Sequence, residues 1–202
     1  MGRPLQAPDL DTRELILKRA ISLFARAGFA GVSMRDIAAA AGITPAALYH
    51  HFANKQALHL EAMRHAYEQR ADARLAALAP EGSPEERLER FVARIVEDLH
   101  TNSDLRLLMQ REYLDGDEQR LRLLVEQVFR KQFDALMALA ESLGPQYDPH
   151  LLVISIFGLV MYHFETTAIR RLLPGYRAEH DNPTVIAQHV VHLILHGVAR
   201  TQ

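Results

Sequence analysis

The chain has 202 residues, 49% hydrophobic and 24% charged, which excludes a disordered polyelectrolyte and allows a substantial core. It contains no cysteine, so a disulfide framework, a zinc-thiolate site and a cysteine nucleophile are all excluded. The net charge of −2 is unevenly spread: residues 1–58 are net +3 and the remainder net −5, as expected of a nucleic-acid-reading module on an acidic body.

Residues 1–10, with Arg3, Pro4 and Pro8, read as an arm that either reaches into a DNA minor groove or has no fixed structure. This polar, proline-containing opening is unlike a secretory leader. Asp11 and Glu14 signal a helix start, and Ile16, Ala20, Leu23, Phe24 and Ala27 recur at helical spacing up to Gly28. Ser33 with Asp36 three residues on matches a capping box, and Ile37, Ala38 and Ala41 form one buried face before Gly42 stops the helix. Thr44 and Pro45 supply the N-cap and first position of the next helix. There Leu48 and Phe52 point inward with Ile43, leaving Pro45, Ala46, Tyr49 and His50 outside.

Asn54 caps a further helix, expected to run unbroken to about residue 79 through Leu58, Met63 and Leu75. The segment 80–84 (PEGSP) is a break and a new start, with Ser83, Pro84 and Glu86 as cap, first position and capping-box partner. Helices are expected at about 84–101, 103–114, 117–143, 149–172 and 183–200, separated by Gly- and Pro-containing breaks. No alternating strand pattern occurs. The expectation is an all-α protein of about nine helices. It divides into an arm and DNA-binding head (1–54), a connecting helix (55–80) and an effector-binding and dimerisation body (81–202).

Helix, glycine turn and short exposed helix make the helix-turn-helix plan, whose second helix enters the major groove. A small three-helix interaction module is the alternative on pattern alone. From about Thr12 to Leu58 the chain resembles the TetR family of bacterial transcriptional regulators. The resemblance is carried by Ala20, Leu23-Phe24, Gly28-Phe29, Val32 to Ala38, Ala41-Gly42, Leu48 to Phe52 and Asn54-Lys55. It implies double-stranded DNA as a partner, with Arg35 and Tyr49 at positions that contact DNA. Tyr49, Lys55 and Ser33 are expected at phosphates, the latter two also through helix starts. Arg35, Thr44 and His50 are expected at base edges, with Pro45 and Ala46 against thymine methyls.

Residues 151–164 are apolar nearly all round but short of the ~20 residues that span a membrane. The chain is therefore expected to be cytoplasmic. The helices near 149–172 and 183–200 are expected to pair with their symmetry mates in a homodimer, as TetR-like proteins do. The resemblance also implies a small effector in the body. From composition, Met109, Arg111, Tyr113, Phe129, Phe133, Phe157, Met161 and His163 are candidate lining residues, although aromatic and methionine residues at helical spacing more often form core. His189, His192 and His196 lie at i, i+3, i+7, a weak candidate metal set whose plainer reading is a hydrogen-bonded seam.

No Gly-rich phosphate loop, nucleophile elbow or paired-carboxylate motif occurs, so neither an enzyme nor a cofactor is expected. The function expected is a dimeric repressor released from a palindromic operator by a small apolar or aromatic ligand. An adaptor or ligand-binding dimer without specific DNA binding is the alternative, and a histidine-metal hydrolase a remoter one.

Overall fold

The computed structural model describes residues 9–197, with side chains from Thr12 onward, and its regular structure over that span is all helical, without strands. In chain order the helices are α1 (Asp9–Ala27), α2 (Met34–Ala41), α3 (Pro45–His51), α4 (Lys55–Glu68), α5 (Ala71–Ala77), α6 (Pro84–Thr101), α7 (Ser103–Asp115) and α8 (Glu118–Leu124). A π turn (Val125–Phe129) leads into α9 (Arg130–Ser142), followed by α10 (Pro149–Glu165), the single-turn α11 (Thr167–Arg170), a 3-10 turn (Ala178–Asp181) and α12 (Pro183–His196). Of the expected arm, residues 1–8 lie outside what is described, while Asp9 and Leu10 already belong to α1; the Asp11 side chain and residues 198–200 of the last helix also lie outside it.

The chain forms two compact units, each made of two stretches: residues 1–69 with 103–128, and residues 70–102 with 129–202. The first contains α1–α4, α7 and α8, so it groups 103–128 with the head. Helix α1 buries Ile16, Leu17, Ala20, Ile21, Phe24 and Ala25, a stripe of i, i+1, i+4, i+5 periodicity, and packs on α2, α4 and α7. Helix α4 packs on α7 and α8 as well as α1.

Beneath the α1–α2 connection lies a charged cluster that sequence reading did not anticipate. His59, 3% exposed, sits edge-on to Phe24 and Phe29 and 3.2 Å from Glu112 Oε1. Glu112 Oε2 accepts from Arg120 Nε at 3.2 Å, and the Arg120 guanidinium lies 4.4 Å from the Phe29 ring centre. The distance between His59 and Glu112 would suit an ion pair, yet the atoms lack hydrogen-bond alignment and burial opposes both charged forms. His59 is pushed down to about 4 by burial first, then by the charges of Arg120 and Lys55, while burial raises Glu112. We therefore take the imidazole as neutral.

A histidine with a depressed folded pKa makes the unfolded chain the better proton acceptor. Its contribution to stability is intact above 6.5 and falls by about 1.4 kcal/mol per pH unit between 6.5 and about 4. The raised Glu112 works in the opposite sense, because its folded form takes up a proton sooner than the unfolded chain as pH falls toward 4.5. Unfolding in urea at pH 7 and pH 5 should show an acid loss near 2 kcal/mol attributable to His59. A His59→Leu variant should lack that component, and equal acid losses in both proteins would refute it.

The second unit holds α5, α6, α9, α10, α11 and α12 around Leu88, Phe91, Val92, Val96, Leu136, Leu139, Val153, Ile156, Val160 and Val190. Its polar hub is Asp98 on α6. Arg70 Nη1 and Arg74 Nη1 donate to its two oxygens at 3.1 and 2.8 Å, and Arg94 Nε lies 3.1 Å away. Arg74 Nε also donates to Gln132 Oε1 at 2.8 Å, and Arg74, Asp98 and Gln132 are all buried.

Three expected helices are interrupted. The segment 54–79 breaks between α4 and α5, where Arg70 leaves helical geometry (φ −131°, ψ 13°) and its guanidinium reaches Asp98 and Thr101. The segment 117–143 contains the π turn. The segment 149–172 stops at Glu165, where Thr166 and Thr167 turn their hydroxyls back onto the carbonyls of Tyr162, His163 and Phe164.

Candidate nucleic-acid interface

Local chemistry positions the reading surface. Ser33 Oγ accepts from Asp36 N at 3.2 Å while the Asp36 carboxylate accepts from Ser33 N and Oγ, holding that carboxyl below its usual range. Gly42, at φ 69°, ends α2 in the left-handed region, and its N–H bonds back to Ala39 O. Thr44 Oγ1 accepts from Ala47 N at 3.1 Å, with Pro45 at the first position of α3. Leu48 is the buried residue of this seven-residue helix, and Phe52 follows it inward at 4% exposure.

That anchoring leaves Pro45, Ala46, Tyr49 and His50 exposed on α3, with Tyr49 53% accessible. Thr44, also exposed, still has its hydroxyl proton to donate, since the capping bond uses only an acceptor lone pair. Arg35 on α2 is exposed and forms no ion pair or side-chain hydrogen bond among the described residues. Ser33 differs: its proton is committed to Asp36 at 2.6 Å, so it has none left for a phosphate in this arrangement.

Lys55 also has an internal task. Its Nζ donates to Phe29 O at 2.9 Å and Val32 O at 3.1 Å and lies 4.2 Å from the Phe29 ring centre. It thereby ties the α1–α2 connection to the start of α4, with one of three ammonium protons left over. Asn54, whose Oδ1 accepts from Ala57 N at 2.8 Å, caps that start.

The eight candidate effector residues are placed as follows. In the first unit, Arg111 is exposed and donates to Arg26 O at 2.9 Å, Tyr113 is 54% exposed and Met109 is half-buried on α7. In the second unit, Phe133, Phe157 and Met161 pack against the core, Phe157 edge-on to Phe91 and Phe133 to His150. Phe129 closes the π turn, and His163, its pKa lowered chiefly by burial and then by Arg170 and His189, faces His189 at 5.9 Å.

The C-terminal histidines do not converge. His189 pairs with His163 across α10 and α12, while His192 and His196 face each other at 4.9 Å. Among the described residues no group of three or more His, Asp or Glu side chains is arranged to hold a metal ion. Of the weak candidate set, His189 thus belongs to one ring pair and His192 with His196 to another.

A capped helix-turn-helix with a basic and aromatic outer face defines a DNA-reading head. Residues 16–62 match the family model described as bacterial regulatory proteins, tetR family, so the head is similar to the DNA-binding part of that family. A 52-residue stretch is 44% identical to the uncharacterized HTH-type transcriptional regulator YerO of Bacillus subtilis (strain 168); the match spans 26% of this chain and 18% of that protein. Over nearly the whole chain the fold is similar to FadR from Bacillus subtilis, solved with stearoyl-CoA (TM-score 0.76, 16% identity, 92% of this chain and 99% of that one). It is also similar to AibR, solved with isovaleryl coenzyme A and operator DNA (TM-score 0.71, 24% identity, 90% of this chain and 97% of that one).

Proposed function

We propose that this protein is a homodimeric, sequence-specific transcriptional repressor that leaves a palindromic operator when a small ligand occupies its C-terminal part. The observation that carries the reading is the outer face of α3, held out by one buried leucine inside a head of TetR type. In this reading residues 1–54 read DNA, 55–80 connect, and 81–202 bind effector and dimerise, in the cytoplasm. Arg35 takes a guanine edge, Thr44 and His50 take further base edges, and Pro45 and Ala46 meet thymine methyls. Tyr49 donates to a phosphate, with Lys55 and the capped start of α4 beside it. Ser33 stays in the set as a helix-start contact, its hydroxyl first having to turn its proton away from the Asp36 carboxylate that accepts it.

Dimerisation through α10 and α12 is supported by what α10 leaves uncovered: Leu151, Ile154 and Tyr162 are 64%, 51% and 66% exposed, with Ser155 and Gly158 between them. A two-fold axis there would set two α3 helices about 34–36 Å apart on one DNA face. The effector is taken as apolar or aromatic, with Met109, Arg111, Tyr113, Phe129, Phe133, Phe157, Met161 and His163 as candidate contacts. Acyl thioesters of coenzyme A, the ligand type in two structural neighbours, are the first class to test. A ligand that favours the body conformation with mis-spaced heads weakens operator binding by its differential affinity.

Selection of bound duplexes from a random pool at near-physiological salt tests this. One enriched palindrome is the expected result, and binding that depends on salt alone would favour the adaptor reading. On the selected operator, Arg35→Ala should cost about 1–3 kcal/mol concentrated at one base pair. A uniform loss across sequences would reassign Arg35 to a phosphate. Stearoyl-CoA or isovaleryl-CoA should then release the complex, and a ligand that tightens it would overturn the repressor-release mode.

A further inference from the structure

Between α6 and α12, within the second unit, runs an open cleft of about 500 Å³. Glu89, Ala93 and Glu97 of α6 form one wall; Gln188, His192 and His196 are among the α12 residues of the other. This volume is in the range of small-molecule sites, ~300–1,000 Å³. None of the eight candidate effector residues lines it, so it is a separate place on the molecule.

The spacing explains both the shape and the charge. Glu89, Ala93 and Glu97 recur every fourth residue and so share one face of α6. The two carboxylates stand roughly 12 Å apart along the axis, eight residues at ~1.5 Å each. The alanine between them leaves a gap, floored also by Ala187, Val191 and Leu195. Among the described residues neither glutamate forms an ion pair or side-chain hydrogen bond, and no Lys or Arg lines the cleft. Two exposed carboxylates above a small, partly apolar floor repel each other and attract a cation that offers apolar surface at its middle.

We propose that this cleft binds an amphiphilic dication, two ammonium or amidinium groups joined by an apolar spacer about as long as the gap between Glu89 and Glu97. Each cationic end meets one carboxylate, and the spacer lies over Ala93, Ala187 and Val191. His192 and His196 supply ring nitrogens for hydrogen bonds at the opposite rim. The inference stands apart from the operator and effector assignments, and its test needs neither DNA nor acyl-CoA.

The probe is an eight-carbon alkane with an amine at each end, titrated calorimetrically into the full-length protein, with the corresponding single-ended amine as comparison. Saturable binding of one diamine per chain, weakened about fivefold by either Glu89→Gln or Glu97→Gln and at least tenfold by the pair, is expected. The single-ended amine should bind more weakly than the diamine. Ala93→Leu fills the cleft from an already exposed position and should abolish binding without changing the melting temperature. Glu141→Gln, an exposed acid outside the cleft, should leave binding unchanged. Heats without saturation, or equal affinity in wild type and all cleft variants, would show only a diffuse ion atmosphere and overturn the site. Sedimentation showing that Ala93→Leu dissociates or aggregates the protein would overturn it too, by making this face a contact between copies.

Discussion

Leu48→Ala should abolish operator binding and lower stability by about 2–5 kcal/mol. Leu48 is fully buried, and it is the buried residue of an α3 only seven residues long. A helix of that length does not form alone in water; its geometry comes from docking. Truncating the leucine removes the contact that seats α3, so Pro45, Ala46, Tyr49 and His50 lose their common orientation even where the rest of the head survives. The measurement pairs urea unfolding with operator titration. Because the remaining helices keep their own cores, far-UV circular dichroism should fall only slightly. A variant that stays folded and binds at wild-type affinity would show that α3 is seated by Phe52 and Ile43 instead.

Asp98→Asn should destabilise the protein by about 3–5 kcal/mol. The substitution keeps the shape of the side chain and removes the single negative charge toward which Arg70, Arg74 and Arg94 converge. Asparagine also presents a donor to guanidinium groups that can only donate. Arg74 and Asp98 are buried, so water cannot take over the screening. Arg70 is the internal comparison: at 39% side-chain exposure its ion pair should be worth under about 1 kcal/mol, so Arg70→Ala should be mild. Equal effects for the two substitutions would mean that Asp98 is more solvated than its burial implies.

What could be read beforehand and what could not follows the range of the interactions. Ser33 with Asp36, Gly42, Thr44 with Pro45, and Asn54 are bonds between residues two to four apart, so the caps of α2, α3 and α4 are written locally. The same holds for Ser83 and Pro84 at α6 and Asn182 and Pro183 at α12. The break after Glu68 has no glycine or proline; Arg70 is drawn out by Asp98, 28 residues on. The π turn likewise lacks a local signature, its residues VEQVF being ordinary helix formers. His59, Glu112 and Arg120 meet across sequence separations that periodicity does not register, so this cluster was invisible. Lys55 was legible as a first-turn cation, but its bonds to Phe29 O and Val32 O depend on where the α1–α2 connection folds back.

The first compact unit is assembled from residues 1–69 and 103–128, with α1 packed on α7 from the second stretch. On a ribosome, the head's own helices therefore emerge well before the partner that covers α1. At ~5–20 residues per second, the intervening stretch delays completion by several seconds. During that interval the side of α1 that meets α7 is uncovered on a nascent chain that already holds Arg35, Thr44, Tyr49 and His50. A chain truncated before α7 would therefore carry the whole helix-turn-helix with one side of α1 uncovered, an apolar surface open to aggregation rather than a finished domain.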